Sequence, residues 1–480
     1  MSISVKNISV AIDGTKSTGF CIELDGTKWR LDNFTLSQSL LSSNFLSFSL
    51  HKEPDERINE ISFNVCGTII GKEILISLET DNIEKESLKA ENDSVADIEF
   101  AGVIVGASGS RSRSEFTVNV EACSWDALLN DNPTCKSFEN LTLNDIVNDV
   151  VDDYSDHLES EIDARFTDTI PYCVQYNENN YQFLQRLARR YGEWLYNDGK
   201  KIVFGNLPEG ENVKLAYPSR DVPSYNVDIK MRHVAFNHVA SSYNSYDANQ
   251  KEGVEEMQRE YNTLSEQVFQ ASQSCFIKPT LQNLHSGGFA DTDGRKTILN
   301  ISTKTQARGE KASMLTYSGT TYCSKIKIGS KLVIVDNYLP DTAALERSKV
   351  EQDEILVTEI VHYFSADETY SNHFVGIPSV CDYPPYSDSD VYPVAQSCRA
   401  KVKDNEDPNN LGRVRVQFDW QAQLDDSMMT PWLRMAQPYA GGGKGFSFIP
   451  EIDEEVMIDF EGGNAERPYV KLSLIHISEP

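Results

Sequence analysis

The chain has 480 residues, a length at which one hydrophobic core gives way to several, so three or four domains are expected. Its 40% hydrophobic and 10% aromatic content excludes a disordered chain. With 73 Asp and Glu against 44 Lys and Arg, the net charge of −29 works against nucleic acid and anionic membranes and argues for protein partners, or for solubility alone.

Residues 1–125 read as strands. Ile61 to Val65 and Phe116 to Ala122 alternate apolar and polar residues, and glycines at 14, 26, 67, 71, 102 and 106 mark turns. Many short strands of this kind form a barrel or a sandwich.

Residues 126–210 change period. Leu143, Ile146, Val147, Val150 and Val151 share one helix face, with Thr142 as the N-cap. A second helix is expected from Glu178 to Tyr191, capped by Asn177, striped by Tyr181, Leu184, Leu187, Ala188 and Tyr191, and stopped by Gly192. Trp194 to Tyr196, the turn signal Asn197-Asp-Gly199 and Lys201 to Phe204 form a hairpin.

Residues 211–385 return to strands, Ser324 to Ile328 and Ile355 to His362 among them. A helix near 251–273 interrupts them, striped by Val254, Met257, Tyr261, Leu264, Val268 and Ala271. Asp382 to Asp390, with adjacent prolines and no aliphatic residue, reads as a linker, the domain break falling at 386–393. Residues 394–470 hold short strands at Arg413 to Phe418, Trp432 to Ala436 and Glu455 to Phe460, which fit a small Greek-key barrel of the OB type. In the first of these, Val414, Val416 and Phe418 point inward and Arg413, Arg415 and Gln417 outward. The fold class is therefore mainly β with a helical insert.

No catalytic constellation outweighs its structural explanation. Gly441-Gly-Gly-Lys-Gly445 lacks phosphate-loop spacing and reads as a tight loop using positive φ. His233 and His238 are five apart, which puts them on opposite faces of a strand. Asp453-Glu-Glu455 and Asp152-Asp153 read as solvated ends, and no Gly-x-Ser-x-Gly elbow is present. Neither a cofactor nor a metal is called for. The nine cysteines are scattered, with no Cys-x-x-Cys pair, as suits buried thiols in a reducing compartment. The N-terminus has no signal-like apolar segment, and the eight-residue run from Phe100 falls short of the roughly twenty that span a bilayer. The product is expected in the cytoplasm, and any exit from the cell would take another route. Nucleic-acid binding by residues 394–470 is the other reading of an OB barrel. Eight Lys and Arg against thirteen Asp and Glu there give the wrong sign for it, and the arginines are expected to pair with carboxylates.

Ala400 to Trp420, Pro431 to Gln437, Phe448 to Pro450, Glu454 to Phe460 and Glu466 to Val470 follow one another in an order that resembles the OB domain of VgrG proteins, the spikes of type VI secretion systems, and of the related spike base of contractile phage tails. The hub of a prophage tail or an extracellular contractile injection system is therefore the alternative. The positions that carry the resemblance are Gly412, Arg413, Val414, Val416, Phe418, Trp432, Gly445, Pro450, Glu455, Val456, Phe460 and Pro468. Upstream, Gln175 to Gly192 resembles the same family's hub, with Tyr176, Phe183, Leu184, Leu187 and Gly192 as its marks, and so does Tyr370 to Pro378. The resemblance implies two hub β-barrels, the helical insert and the C-terminal OB barrel, with no enzymatic role. It implies a homotrimer whose six barrels form a ring on a hexameric Hcp-type tube. A PAAR-type tip protein, baseplate proteins and effectors would be further partners, nucleic acid would not, and membrane would be met only in passing. The chain departs from the family in two places. Asp453 stands where the family often has glycine, and 471–480 has neither repeat nor glycine where a β-helical needle would begin, so this tail reads as non-native.

Overall fold

The computed structural model describes residues 3–473, apart from 13, 19, 25–26, 53–62, 81–97, 113–114, 209, 218–221, 241–248, 254–263, 279, 286–291, 337–353, 366–368 and 442–443. Its organising element is one long hairpin, Ile355–Ser365 with Thr369–Pro378. From the first hairpin strand the hydrogen-bonded order runs through Thr27–Ser39, Phe45–Lys52, Phe116–Ser124, Ile98–Arg111, Glu73–Thr80 and Ile3–Ile12 to the second hairpin strand. All these pairings are antiparallel, and the two hairpin strands pair with each other, so the ring is a closed barrel. Alternation, interrupted by bulges, supplies its core, where Trp29 meets Phe116 edge to face at 5.7 Å.

The same hairpin is the middle of a second barrel. Lys331–Asp336 and then Asn212–Tyr217 extend it on one side, Leu315–Thr321 and then Ser224–Ile229 on the other. Among the described residues the two outermost strands are not hydrogen-bonded to each other, and the rings of Tyr217 and Tyr225 meet across that seam at 5.0 Å. A β-bulge at Thr358 marks where the hairpin passes from one barrel to the other, as the bend of a bulge allows. Three cross-strand pairs then follow along it. Ile360 with Phe374 belongs to the second core and Phe364 with Tyr370 to the first. His362 with Asn372, both buried, lies between them.

The insert places the helices Leu143–Val151 and Asn180–Tyr191 against the two-stranded sheet Thr134–Leu141 and Ile170–Glu178. Thr142 caps the first helix in a reciprocal capping box with Asp145. The second begins two residues later than the periodicity implies, because Asn179 caps it in a box with Gln182, while Asn177 is left-handed at φ 51°. Gly192, at φ 69°, stops it as expected. The hairpin Trp194–Asn197 with Lys201–Gly205 follows.

Three further expectations change. Of Ile61 to Val65, the described part leads into the helix Asn64–Ile69, because Val65 and Ile69 bury at a four-residue spacing. Ser324 to Ile328 forms two turns, and its alternation reflects the burial of Ser324, Ile326 and Ile328 without a strand pairing. Of the helix expected near 251–273, residues 251–253 belong instead to the strand Asn249–Gly253, the part Leu264–Cys275 is helical, and Val254, Met257 and Tyr261 lie outside the described residues. The longer helix Thr292–Ala312 carries no clear stripe and escapes the sequence reading.

The last barrel orders its strands as Arg415–Phe418, Cys398–Asp404, Glu455–Phe460 and Pro468–Ser473. Trp432 to Ala436, expected as a strand, makes only single bridges, Val414 to Leu433 and Met435 to Val470. Those bridges join the first strand to the last and so close the barrel.

Candidate functional site: the joint between the insert and the last barrel

Helix Asn180–Tyr191 directs Arg186 and Arg190, four residues apart, to the same side. Both guanidinium groups meet Glu466 of the last barrel. Arg190 Nη1 donates to its Oε2 at 2.7 Å and Arg186 Nη1 to its Oε1 at 3.2 Å. Glu466 is 1% exposed, Arg190 5% and Arg186 7%. Glu178 balances the second positive charge, accepting from Arg186 Nε at 2.8 Å. Arg186 also donates to the Val174 carbonyl at 2.6 Å, and Arg190 to the Val391 carbonyl at 2.7 Å. Burial alone pushes the Glu466 carboxyl up, but Arg190 and Arg186 outweigh it and hold the group below its ordinary value. The same attraction raises both guanidinium groups despite burial.

Apolar packing surrounds this network. Tyr172 and Val174, on strand Ile170–Glu178, belong to the core of the last barrel with Val402, Val416 and Ile458. Cys173 between them faces the insert's own core. The insert strand is therefore covered on both faces. At the rim Gln421 Nε2 donates to Ser137 Oγ at 2.8 Å.

The polar face of the Arg413-to-Phe418 strand belongs to the same construction, which corrects its expected exposure to solvent. Arg413 and Gln417 are buried. Arg413 makes a two-pronged pair with Asp407, at 2.7 and 2.9 Å. That bond and the amides of Asn409, Leu411 and Arg413 hold the Asp407 carboxyl well below the usual carboxylate range. Gln417 Nε2 donates to the carbonyls of Met428 and Asp426 at 2.8 and 2.9 Å. Arg415 reaches out of the barrel to Glu139 of the insert at 2.6 Å. Both arginines thus pair with carboxylates within the chain, as the sequence implies.

The segment that reads as a linker is packed as a strap. Tyr386 OH donates to the Glu193 carbonyl and accepts from the Leu195 amide, each at 2.8 Å. The Tyr383 ring lies between the guanidinium groups of Arg165 and Arg308, at 4.2 and 5.2 Å. A β-carbon on Gly192 would come within 2.6 Å of that ring.

The motif residues fall into three groups. Phe183, Leu184 and Leu187 fill the insert core. Val414, Val416, Phe418, Val456 and Phe460 fill the last barrel, with Tyr176 against them and Pro450 and Pro468 buried nearby. Gly412 and Gly445 turn the chain at φ 68° and 117°, while Trp432 and Glu455 are half-buried. Gly441 and Lys444 pair in a minimal hairpin, as a tight loop requires, and the two glycines between them lie outside the described residues. His238 is buried beside the Thr303 hydroxyl at 3.2 Å, while His233 is exposed, its ring tilted against that of Phe276 with centroids 4.1 Å apart. Among the described residues no three His, Cys, Asp or Glu side chains come together as metal ligands would. Nor is any helix there long and apolar enough to cross a membrane. Sequence reasoning gave no role to Glu466, Arg186 or Arg190. Two arginines four apart beside an apolar helix stripe were the available signal.

Residues 62–368, more than half the chain, match the family model of the phage tail baseplate hub (GPD). The chain belongs to that hub family. Residues 398–474 of this hub match the type VI secretion system/phage-baseplate injector OB domain. The joint just described therefore links hub to OB domain, in a molecule that is VgrG-like and phage-baseplate-hub-like. The type VI secretion system spike protein VgrG4b of Pseudomonas aeruginosa is 38% identical over 73 residues, 15% of this chain and 9% of that protein. VgrG5 of the same organism is 32% identical over 114 residues, 22% and 14% of the two chains. The hub thus aligns with only a small part of these relatives' length. The Escherichia coli c3393 protein, a type VI secretion component with structural similarity to T4 bacteriophage tail proteins gp27 and gp5, has the same fold. Its TM-score is 0.57 at 15% identity, covering 96% of this chain and 98% of that one. A chain of the lidless PdpA–VgrG complex gives 0.56 at 9% identity, covering 100% and 89%.

Proposed function

We propose that this hub works as a homotrimer at the base of a type VI secretion spike. Three copies bring six barrels into a ring, the ring docks on a hexameric Hcp-type tube, and the OB domains form the collar beneath a puncturing tip. Contraction drives the assembly out of the cytoplasm and through a target envelope with its effectors. A PAAR-type tip protein and baseplate proteins complete the partners, membrane is met only during penetration, and nucleic acid has no part. The domains of this reading are 1–125, 126–210, 211–385 and 394–470, with the motif residues serving as its structural supports.

The observation that carries the reading is the pair of joints. The hairpin makes the two barrels one body, and Glu466 with its arginines fixes the OB domain to that body. A part that must transmit a push needs both. Light scattering on the purified chain tests it, with three times the 54.0 kDa chain mass expected. Co-sedimentation with Hcp-type hexamers is the second expected result. A monomer at high concentration overturns the reading. The hub of a prophage tail or other contractile particle is the second reading, supported by the fold shared with a Shewanella oneidensis prophage tail protein at TM-score 0.51. Failure to bind Hcp-type hexamers by a trimeric hub would favour it.

A further inference from the structure

Two surfaces of opposite character lie on the two barrels. The first barrel carries an acidic apolar face. Ile70, Leu75 and Val105 are 45%, 43% and 50% exposed. The Gly71 amide donates to the Ile104 carbonyl at 2.8 Å, which sets Ile70 beside Val105. Glu73 is exposed on the strand that holds Leu75. The Glu121 carboxylate lies over Gly106, where a β-carbon would come within 2.9 Å of its Oε2, next to Val105. Among the described residues neither glutamate has an ion pair.

The second barrel carries a basic apolar face beside its seam. Among the described residues Ser224–Ile229 pairs only with Leu315–Thr321, and its other edge faces the seam where Tyr225 meets Tyr217. Ile229 and Met231 at its end are 51% and 52% exposed. The turn after helix Leu264–Cys275 brings Ile277, 83% exposed, alongside. The Arg232 amide reaches Ser272 Oγ at 3.4 Å there, and the His233 and Phe276 rings meet. Lys230, Arg232 and Lys278 are exposed on this face. Asp228 shares the strand and Glu310 lies 3.9 Å from Arg232, while Lys230 and Lys278 have no ion pair among the described residues.

A chain of net charge −29 repels its own copies unless the contact itself brings opposite signs together. These two faces do so, with aliphatic centres and charged rims of the kind stable interfaces have. They lie on different barrels, so a contact between them is head-to-tail, and such a contact closes into a ring when its rotation permits. We infer that the Ile70–Leu75–Val105 face of one copy docks on the Ile229–Met231–Ile277 face of the next, with Glu73 and Glu121 set against Lys230 and Lys278. This rests on the trimer proposed above and names the surfaces that build it.

The test reverses charges in the full chain and follows the mass by light scattering, with circular dichroism to verify folding. Glu73→Lys with Glu121→Lys, and separately Lys230→Glu with Lys278→Glu, should each raise the trimer dissociation constant by about tenfold or more. The chain carrying all four changes should regain association, because the signs are again opposite. Unchanged association in both double variants of a trimeric protein overturns these surfaces and leaves the trimer standing. A wild-type monomer overturns both. Four changes that fail to rescue the folded double variants also overturn the pairing.

Discussion

The molecule has two joints, built on different principles. Between the two barrels the joint is backbone. One hairpin belongs to both sheets, and its paired side chains pass from one core to the next. Between the insert and the OB domain the joint is side chain, a desolvated carboxylate held by two guanidinium groups inside an apolar shell. The first has no separable halves. The second is an interface, and it depends on every buried charge keeping its partner.

Substitutions should expose that difference. Phe374→Ala empties the second core beside the hairpin and should cost about 3–5 kcal/mol. Hydrogen exchange should accelerate together in Phe116–Ser124 of the first barrel and Leu315–Thr321 of the second. Loss of protection in one barrel alone would show that the hairpin does not couple them. Glu466→Gln leaves Arg186 and Arg190 buried against a neutral group and should cost about 3 kcal/mol. Exchange should rise in Ile170–Glu178 and the OB strands, with the hairpin unchanged.

Acidity sharpens the contrast. Burial, with a smaller push from the Lys327 charge, drives His362 down to about 3. An unfolded chain protonates this histidine near pH 6.5 and the folded one does not, so stability falls with pH across that window, by about 1.4 kcal/mol per unit at most. Glu466 is displaced the other way for an acid. Its contribution is intact above the ordinary glutamate value and is lost only as pH falls through its lowered folded value. The hairpin joint should therefore weaken between pH 6.5 and 4.5, where the ionic joint does not. Urea midpoints across that range, compared with His362→Gln, isolate His362 from His238, which burial also pushes down. Equal slopes in the two proteins would refute a buried neutral His362. The smallest effect is at Asp453, left-handed at φ 68°, a conformation that favours glycine. Asp453→Gly should stabilise by up to about 1 kcal/mol in thermal unfolding, less the weak Lys403 contact at 3.9 Å.

The elements were legible where one face is wet and one dry. Phe116–Ser124, Glu455–Phe460 and the capped helix from Leu143 all announce themselves by period. Legibility fails where both faces are covered. Tyr172 and Val174 serve one core and Cys173 another, so nothing in Ile170–Glu178 says which neighbour each side meets. Arg413 and Gln417 look like solvent residues because charge and amide usually are, yet loops return to satisfy them. The strap 382–390 looks like a linker because its anchors are tyrosines, which composition reads as turn-rich filler when no aliphatic residue accompanies them. Glu466 is one acid among 73 until the fold brings two arginines to it.

The shared hairpin also limits how such a molecule can be rebuilt. A crossover placed anywhere between the two cylinders would hand one of them a missing wall, since residues near 360 complete a body begun near residue 3. Inheritance or engineering must then exchange both cylinders as a unit. The OB module, whose covalent link is a single strap, can be grafted only onto a relative that supplies the matching arginines for Glu466, the Glu139 carboxylate for Arg415 and the apolar pair Tyr172 and Val174 that completes its core.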